Sequence, residues 1–438
     1  MRATVIGGGL AGCEAAWALA QRGIAVTLIE MRPIVRTPAH QTDQLAEIVC
    51  SNTFKSTEIT NAHGLLKAEI RLLGSLLLDV ADTVRVPGGT ALAIDREVFS
   101  AKVTAKISGH PRIDVQRREA VDLSPPAVIA TGPLTSHRLA RVISGQLGTK
   151  SLAFFDAIAP IVSNESLDWA QLYRLSRFGK GGGTDYLNSP FDKDQYYSFV
   201  TALCEAERYA GHEFDRVPYF EGCLPIEELA RRGPETLRFG PMKPVGLPDP
   251  RTGQEPFAVV QLRQDDRAGQ MWNLVGFQTR LKITEQKRIF SLAPGLQSAE
   301  FLRFGSIHRN TYLNSPAALT PHLSARHDDS LLFAGQLVGV EGYTESLGTG
   351  VLAGINLARL LRGDRPVVPP PETMLGGLLH YLHKADPEHF QPMNANFGLL
   401  APLEDHVRSK REKRKLLAER ALTVMRDLAM SLTPTRRE

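Results

Sequence analysis

The sequence is poor in cysteine and has no long apolar run. Its four cysteines are Cys13, Cys50, Cys204 and Cys223 in 438 residues, and no two form a C-x-x-C pair. That spacing argues against a zinc site, so no metal is expected. No stretch approaches the roughly 20 apolar residues of a membrane helix. The most apolar, Leu72 to Ala81, is interrupted by Gly74, Ser75 and Asp79, so no membrane span is expected. A signal peptide is not expected either, because "ATVIGGG" already reads as a strand from residue 3. These absences point to a cytoplasmic protein with reduced thiols.

Hydrophobic residues make up 43% and charged residues 22%, the balance of a globular chain of two or three domains. The net charge of +4 says little about partners, but its distribution is uneven. From His406 to Glu438 there are ten Lys/Arg against four Asp/Glu, so the positive excess lies at the carboxyl end.

The amino-terminal stretch "ATVIGGGLAGCEAAWALAQRGIAVTLIEMRP" reads as strand, glycine turn, helix, strand. Gly7, Gly9 and Gly12 fit G-x-G-x-x-G, and Glu30 ends the second strand. A dinucleotide needs this order of elements. The first glycine makes the turn, the second admits the pyrophosphate, the third lets helix and strand pack, and the helix start presents amides to the anion. The expected cradle is Gly7, Gly8, Gly9, Leu10, Ala11 and Gly12, with the Glu30 carboxylate facing a ribose hydroxyl. That carboxylate would repel the extra phosphate of NADP.

Two later stretches favour FAD over NAD as the bound dinucleotide. "AVIATGP" is a strand running into a turn at Gly132, and "LLFAGQLVGVEGYTESLGTGVLAGINLARLL" is a strand, a glycine-rich turn and a long helix. Gly335, Gly342, Tyr343, Glu345 and Ser346 of the latter are expected at the cofactor, at or near the helix start. Segments from both ends of the chain then form one discontinuous Rossmann-like α/β domain, residues 1–157 and 306–370. An α+β domain, 158–305, is inserted between them, and a helical tail, 371–438, follows. In the insertion, "PFAVVQLRQDDRAGQMWNLVGFQTRL" alternates like antiparallel strands and "DKDQYYSFVTALCEAERYAG" reads as a helix with Cys204 in its core face. In the tail, Leu417, Ala421, Val424, Leu428 and Leu432 lie at helical spacing and form a docking face for a helix from about Asp405. The run "RSKREKRK" (Arg408, Lys410, Arg411 and Lys415 among it) and Lys243 are either solvated cations or contacts to a polyanion.

Cys50, in "QLAEIVCSNTFKS", and Cys223, in "PYFEGCLPIEELARRG", sit at turns beside small polar residues. Beside a flavin, two such thiols could be a redox disulfide, a nucleophile with its helper, or unrelated surface groups.

Many stretches are familiar together: "GGGLAGCEAAW", "LIEMRP", "TPAHQTDQLAEIVCSN", "LAIDRE", "ATGPLTS", "FEGCLPIEELARRG", "FGPMKPVGL", "HRNTYLNSP" and "GVEGYTESLGTG". By them the chain resembles the TrmFO family of folate- and FAD-dependent tRNA uracil-5-methyltransferases along nearly its whole length. The resemblance implies that methylenetetrahydrofolate gives its one-carbon unit, by way of reduced flavin, to C5 of uridine 54 in the tRNA T-loop. NAD(P)H is the implied reductant, and Cys50 and Cys223 match the two functional cysteines of the family. The family often has Cys-Pro-Met after "DYLN", where this chain has Ser189, Pro190 and Phe191, and "CSNTFKS" stands where "CSNSL" is more usual. The same chemistry on a ribosomal RNA uridine and a non-catalytic FAD-containing RNA-binding protein are the alternatives. Nothing in the sequence sets the oligomeric state.

Overall fold

The computed structural model describes residues 1–37, 39–148, 152–209, 224–405 and 407–432. At its centre is a six-stranded sheet in the order Ser324–Ala325, Asp328–Phe333, Ala127–Ile129, Arg2–Ile6, Ala25–Glu30, Ile113–Arg117. The last five strands pair in parallel, and the short edge strand Ser324–Ala325 runs antiparallel. Parallel strands are covered on both faces, which is why "ATVI" and "AVTLIE" are apolar almost throughout. Because Asp328–Phe333 pairs with Ala127–Ile129, one sheet is built from both ends of the chain.

Helices Leu10–Gln21 and Tyr343–Leu361 pack on each other. Small residues permit the approach: a Cβ on Gly354 would lie 2.6 Å from the Ala15 carbonyl oxygen, and one on Gly350 would run into the Ala11 backbone. The alanine and glycine content of both stretches is therefore a packing requirement. Glu14 is the exception in this apolar helix. It is fully buried and accepts hydrogen bonds from the Ser75 hydroxyl and from the N–H groups of Leu76 (3.2 Å) and Leu77 (3.0 Å). Its carboxylate thereby ties the first helix to the start of Leu76–Asp82.

Between the two nucleotide segments lies a second six-stranded sheet, antiparallel throughout. Its order is Tyr173–Arg174, Tyr186–Phe191, Ala258–Gln264, Met271–Leu274, Ile161–Ser163, Phe301–Arg303. It has a core of its own around Phe191, Phe199, Trp272, Phe277 and Phe290. The hairpin expected at "DDRAG" and the helix expected in "DKDQYYSFVTALCE" are present. The latter spans Lys193–Glu205 and opens on a capping box between Asp192 and Gln195. Cys204 is half-buried at the edge of this core rather than inside it, because it falls on the last turn of the helix. The antiparallel strands Leu152–Ile158 and Ser306–Tyr312 lead into and out of the inserted sheet.

A three-stranded sheet, Thr53–Ser56, Ala91–Ile94 and Arg85–Val86, follows the Cys50 loop. The tail contributes helices Met374–Lys384 and Lys410–Leu432. Glu69 caps the first of these, accepting the N–H groups of Met374 (2.7 Å) and Leu375 (2.9 Å). The last helix starts at Lys410 rather than near Asp405, and it docks on Ala62–Leu72. Its buried stripe is Leu417, Ala418, Ala421 and Met425, with Leu428 and Leu432 partly buried beside it. Val424, expected on that stripe, is only half-buried, since the 3.6-residue period carries the face through Met425. Among the described residues no helix is long and apolar enough to cross a membrane, and no group of three His, Cys, Asp or Glu side chains could hold a metal ion.

Candidate nucleotide cleft and thiol site

A cleft opens beyond the carboxyl ends of Arg2–Ile6 and Ala127–Ile129, where open parallel sheets bind ligands. Gly7, Gly9, Leu10, Ala11, Glu30, Gly132, Gly335, Tyr343 and Ser346 line it. The three glycines of the cradle differ in what requires them. Gly7 has φ +104°, and a Cβ there would press on Ala130; a Cβ on Gly12 would run into the Gly7 carbonyl. Gly9 has an ordinary φ of −77°, and a Cβ on it would meet nothing within 4 Å. The protein itself has no need of a glycine at position 9. A ligand that must come close to the backbone would need it. No side chain caps the helix that Gly9 opens, which leaves its first amides for an anion. These features fit a dinucleotide pyrophosphate.

Glu30 is buried at the edge of the cleft. One carboxylate oxygen accepts the Gly8 N–H at 2.9 Å, and the other accepts the N–H and Nε–H of Arg32, both at 2.9 Å. Burial alone would raise its pKa, but the Arg32 guanidinium and the two backbone donors outweigh it and hold the carboxyl below its usual range. An anion is thus fixed at the edge of the cleft, with acceptor capacity left on the oxygen that Gly8 binds. Gly8, Gly12, Gly342 and Glu345 do not line the cleft. Gly8 serves the acid, and Gly342, at φ +123°, lets the chain turn into the long helix. Glu345 turns away to accept the Ala395 N–H at 2.8 Å and to pair with His63 at 3.1 Å.

The thiol site is joined to this cleft through Tyr343. Its hydroxyl oxygen accepts the backbone N–H of Cys50 at 2.8 Å and that of Ser51 at 3.2 Å. Burial pushes the Tyr343 pKa up, and the Cys50 sulfur adds to the effect, so the hydroxyl stays protonated at physiological pH. Cys50 is half-buried, and three guanidinium groups interact with it electrostatically: Arg96, Arg263 and Arg303. The sequence reading singled out none of the three. The available signal was an arginine near the end of the otherwise apolar strand "AVVQLRQ", two residues before Asp265. Cys223 lies outside the described residues. The short helix expected after it is present as Ile226–Arg231.

Lys243, Arg408, Lys410, Arg411 and Lys415 are all exposed. Lys410, Arg411 and Lys415 belong to the last helix, Arg408 precedes it, and Lys243 lies in the inserted part, where its carbonyl accepts a hydrogen bond from Arg177 at 2.8 Å.

A two-segment nucleotide fold, with a cysteine loop hydrogen-bonded to the wall of its cleft, defines the dinucleotide-binding class of protein. Residues 2–365 match the family model described as glucose inhibited division protein A. The methylenetetrahydrofolate–tRNA-(uracil-5-)-methyltransferase TrmFO of Geotalea daltonii is 55% identical over 421 residues, covering 96% of both chains. The protein of the same name from Thermus thermophilus is 52% identical over 434 residues, covering 99% of this chain and 97% of that one. Among solved structures, Aquifex aeolicus GidA superposes with a TM-score of 0.72 at 16% identity, covering 98% of this chain and 73% of that one. It shares the fold. The chain belongs to the glucose inhibited division protein A family, within which its near-full-length relatives are TrmFO proteins.

Proposed function

We propose that the protein methylates C5 of a uridine in RNA, taking the carbon from methylenetetrahydrofolate, with FAD in the cleft and NAD(P)H as reductant. Uridine 54 of the tRNA T-loop is the proposed target. The observation that carries this reading is Tyr343, which lines the cleft and whose hydroxyl accepts the backbone N–H of Cys50. Full-length relatives bearing the methyltransferase name support it.

In this reading the uncapped helix start and Gly9 bind the pyrophosphate, Glu30 takes the ribose, and Gly132, Gly335 and Ser346 line the remaining wall. When bound, FAD supplies the electrons that turn a methylene unit into a methyl group. The chain must make C5 of uracil nucleophilic. A thiolate adding at C6 pushes electron density to O4 and C5, C5 then bonds the one-carbon unit, and loss of the C5 proton expels the thiolate. Cys50 and Cys223 are the two thiols assigned to this step. The exposed cations Lys243, Arg408, Lys410, Arg411 and Lys415 are assigned to RNA phosphates. The same reading divides the chain into 1–157 with 306–370, an insertion at 158–305, and a tail at 371–438, and it places the protein in the cytoplasm.

RNA carrying 5-fluorouridine tests the thiol step, because fluorine cannot leave as the proton does. A covalent protein–RNA adduct is expected with the unaltered chain. Full methylation by both Cys50→Ala and Cys223→Ala would contradict the assignment.

A further inference from the structure

The residue two positions after Cys50 is Asn52, and its side chain is fully buried. All its bonding capacity is directed across the molecule. Its Nδ2 donates to the Ile94 carbonyl (3.0 Å) in the three-stranded sheet and to the Gln264 carbonyl (2.9 Å) in the inserted sheet. Its Oδ1 accepts the Nε–H of Arg263 at 2.8 Å. The Tyr186 hydroxyl, which donates to the Gly88 carbonyl at 3.0 Å, takes a further hydrogen bond from the same guanidinium. Arg263 is itself buried and has no carboxylate salt-bridged to it among the described residues.

A buried guanidinium stays charged, so it needs an anion nearby. The charged and titratable described groups around Cys50 are Arg96 from the helix Arg96–Ser108, Arg263 and Asp265 from the inserted sheet, Arg303 from the last strand of that sheet, and Tyr343. Asp265 is bound to Arg96, Nη2 to Oδ1 at 2.8 Å. Three cations thus face a single carboxylate, which Arg96 already occupies. Asp265 also acts on Arg263 and Arg303, Tyr343 is neutral, and the sulfur of Cys50 is a further group among the described residues that these cations act on.

We propose that Asn52 is a positioning residue: it holds the Arg263 guanidinium toward the Cys50 sulfur, and this cation keeps the thiol as a thiolate near neutral pH. Asparagine suits the position because one side chain must donate to two carbonyls and accept from an arginine. This inference rests on Cys50 being a reactive thiol, but its test does not require methylation.

The test is the rate of Cys50 alkylation by iodoacetamide as a function of pH, on the full chain as purified, read by mass spectrometry of the Cys50 peptide. Only the thiolate reacts, so the midpoint of the profile is the thiol's own titration. Asn52→Leu and Arg263→Met should each move that midpoint up by about one pH unit, a roughly tenfold slower reaction at pH values well below the midpoint. Arg263→Lys, which keeps a cation, should move it less than Arg263→Met. The buried Cys13 peptide is the folding control: if it becomes reactive in Asn52→Leu, the comparison of Arg263→Met with Arg263→Lys decides. A wild-type midpoint in Arg263→Met, or equal displacement by Met and Lys, would overturn the proposal. If the midpoint moves as expected while Cys50→Ala still methylates RNA, the positioning stands and the methyltransfer role of Cys50 falls.

Discussion

The Tyr343 hydroxyl accepts the Cys50 N–H at 2.8 Å across 293 residues of sequence. One residue thereby lines the nucleotide cleft and anchors the Cys50 loop, so the two share a single support. Tyr343→Phe removes the acceptor for two backbone donors, a loss of about 1–3 kcal/mol where such donors are buried. Faster hydrogen exchange at the amides of Cys50 and Ser51 is expected, with methylation reduced and FAD retained. Unchanged exchange at both amides would show that the hydroxyl does not hold the loop.

Gly9 and Gly12 should separate binding from folding. A Cβ at position 9 meets no protein atom within 4 Å, so Gly9→Val should melt within about 1 kcal/mol of the flavin-free wild type, the loss at a helix N-cap, yet purify colourless. Gly12→Val places atoms against the Gly7 carbonyl and should cost about 1–3 kcal/mol or more through overpacking. A yellow, flavin-saturated Gly9→Val protein would remove the pyrophosphate from this turn.

Two buried acids set a pH dependence. Burial pushes the carboxyl of Glu14 up to about 7 and that of Glu69 up to about 8, against the helix-capping bonds that favour their anions. The folded state then retains protons that the unfolded chain releases near its ordinary carboxyl range. Stability from these two groups is fully present below about 4.5 and falls as pH rises through about 7 and 8. Denaturant titrations between about pH 5 and 8.5 should show the decline, and Glu69→Gln should flatten its upper part. Glu30 acts in the opposite sense: its lowered pKa stabilises the fold above the ordinary carboxyl range and is lost on acidification.

Arg411 and Lys415 lie one turn apart on the exposed side of the last helix. Replacing both by Glu should weaken RNA binding and reduce the slope of log affinity against log salt by roughly one for each phosphate no longer neutralised. Flavin content should not change. An unaltered affinity and salt slope would make the run a solvated helix face.

The nucleotide cradle was legible in the sequence because its demands are local. A glycine at each of three turn positions, an apolar strand on either side and an acid at the end of the second strand fall within about thirty residues. The surroundings of Cys50 were not legible. Asn52 and Arg263 are 211 residues apart and meet only because the inserted sheet packs over the thiol loop. Glu14 was hidden for a similar reason, since a single acid inside an alanine-rich helix gives no sign that three donors from another helix will meet it. The tail helix was legible as a helix, but its docking stripe was set by the surface it meets, which moved the buried position from Val424 to Met425.

The central claim is methylation of an RNA uridine from folate, and one assay tests it most directly. The purified protein is incubated with FAD, NADH or NADPH, methylenetetrahydrofolate labelled in its methylene carbon, and tRNA transcribed without modifications. The account predicts labelled 5-methyluridine at position 54, none with S-adenosylmethionine in place of folate, and none with Cys50→Ala. Unlabelled tRNA in the presence of a fully flavin-loaded protein, or methylation that depends on S-adenosylmethionine, would contradict it.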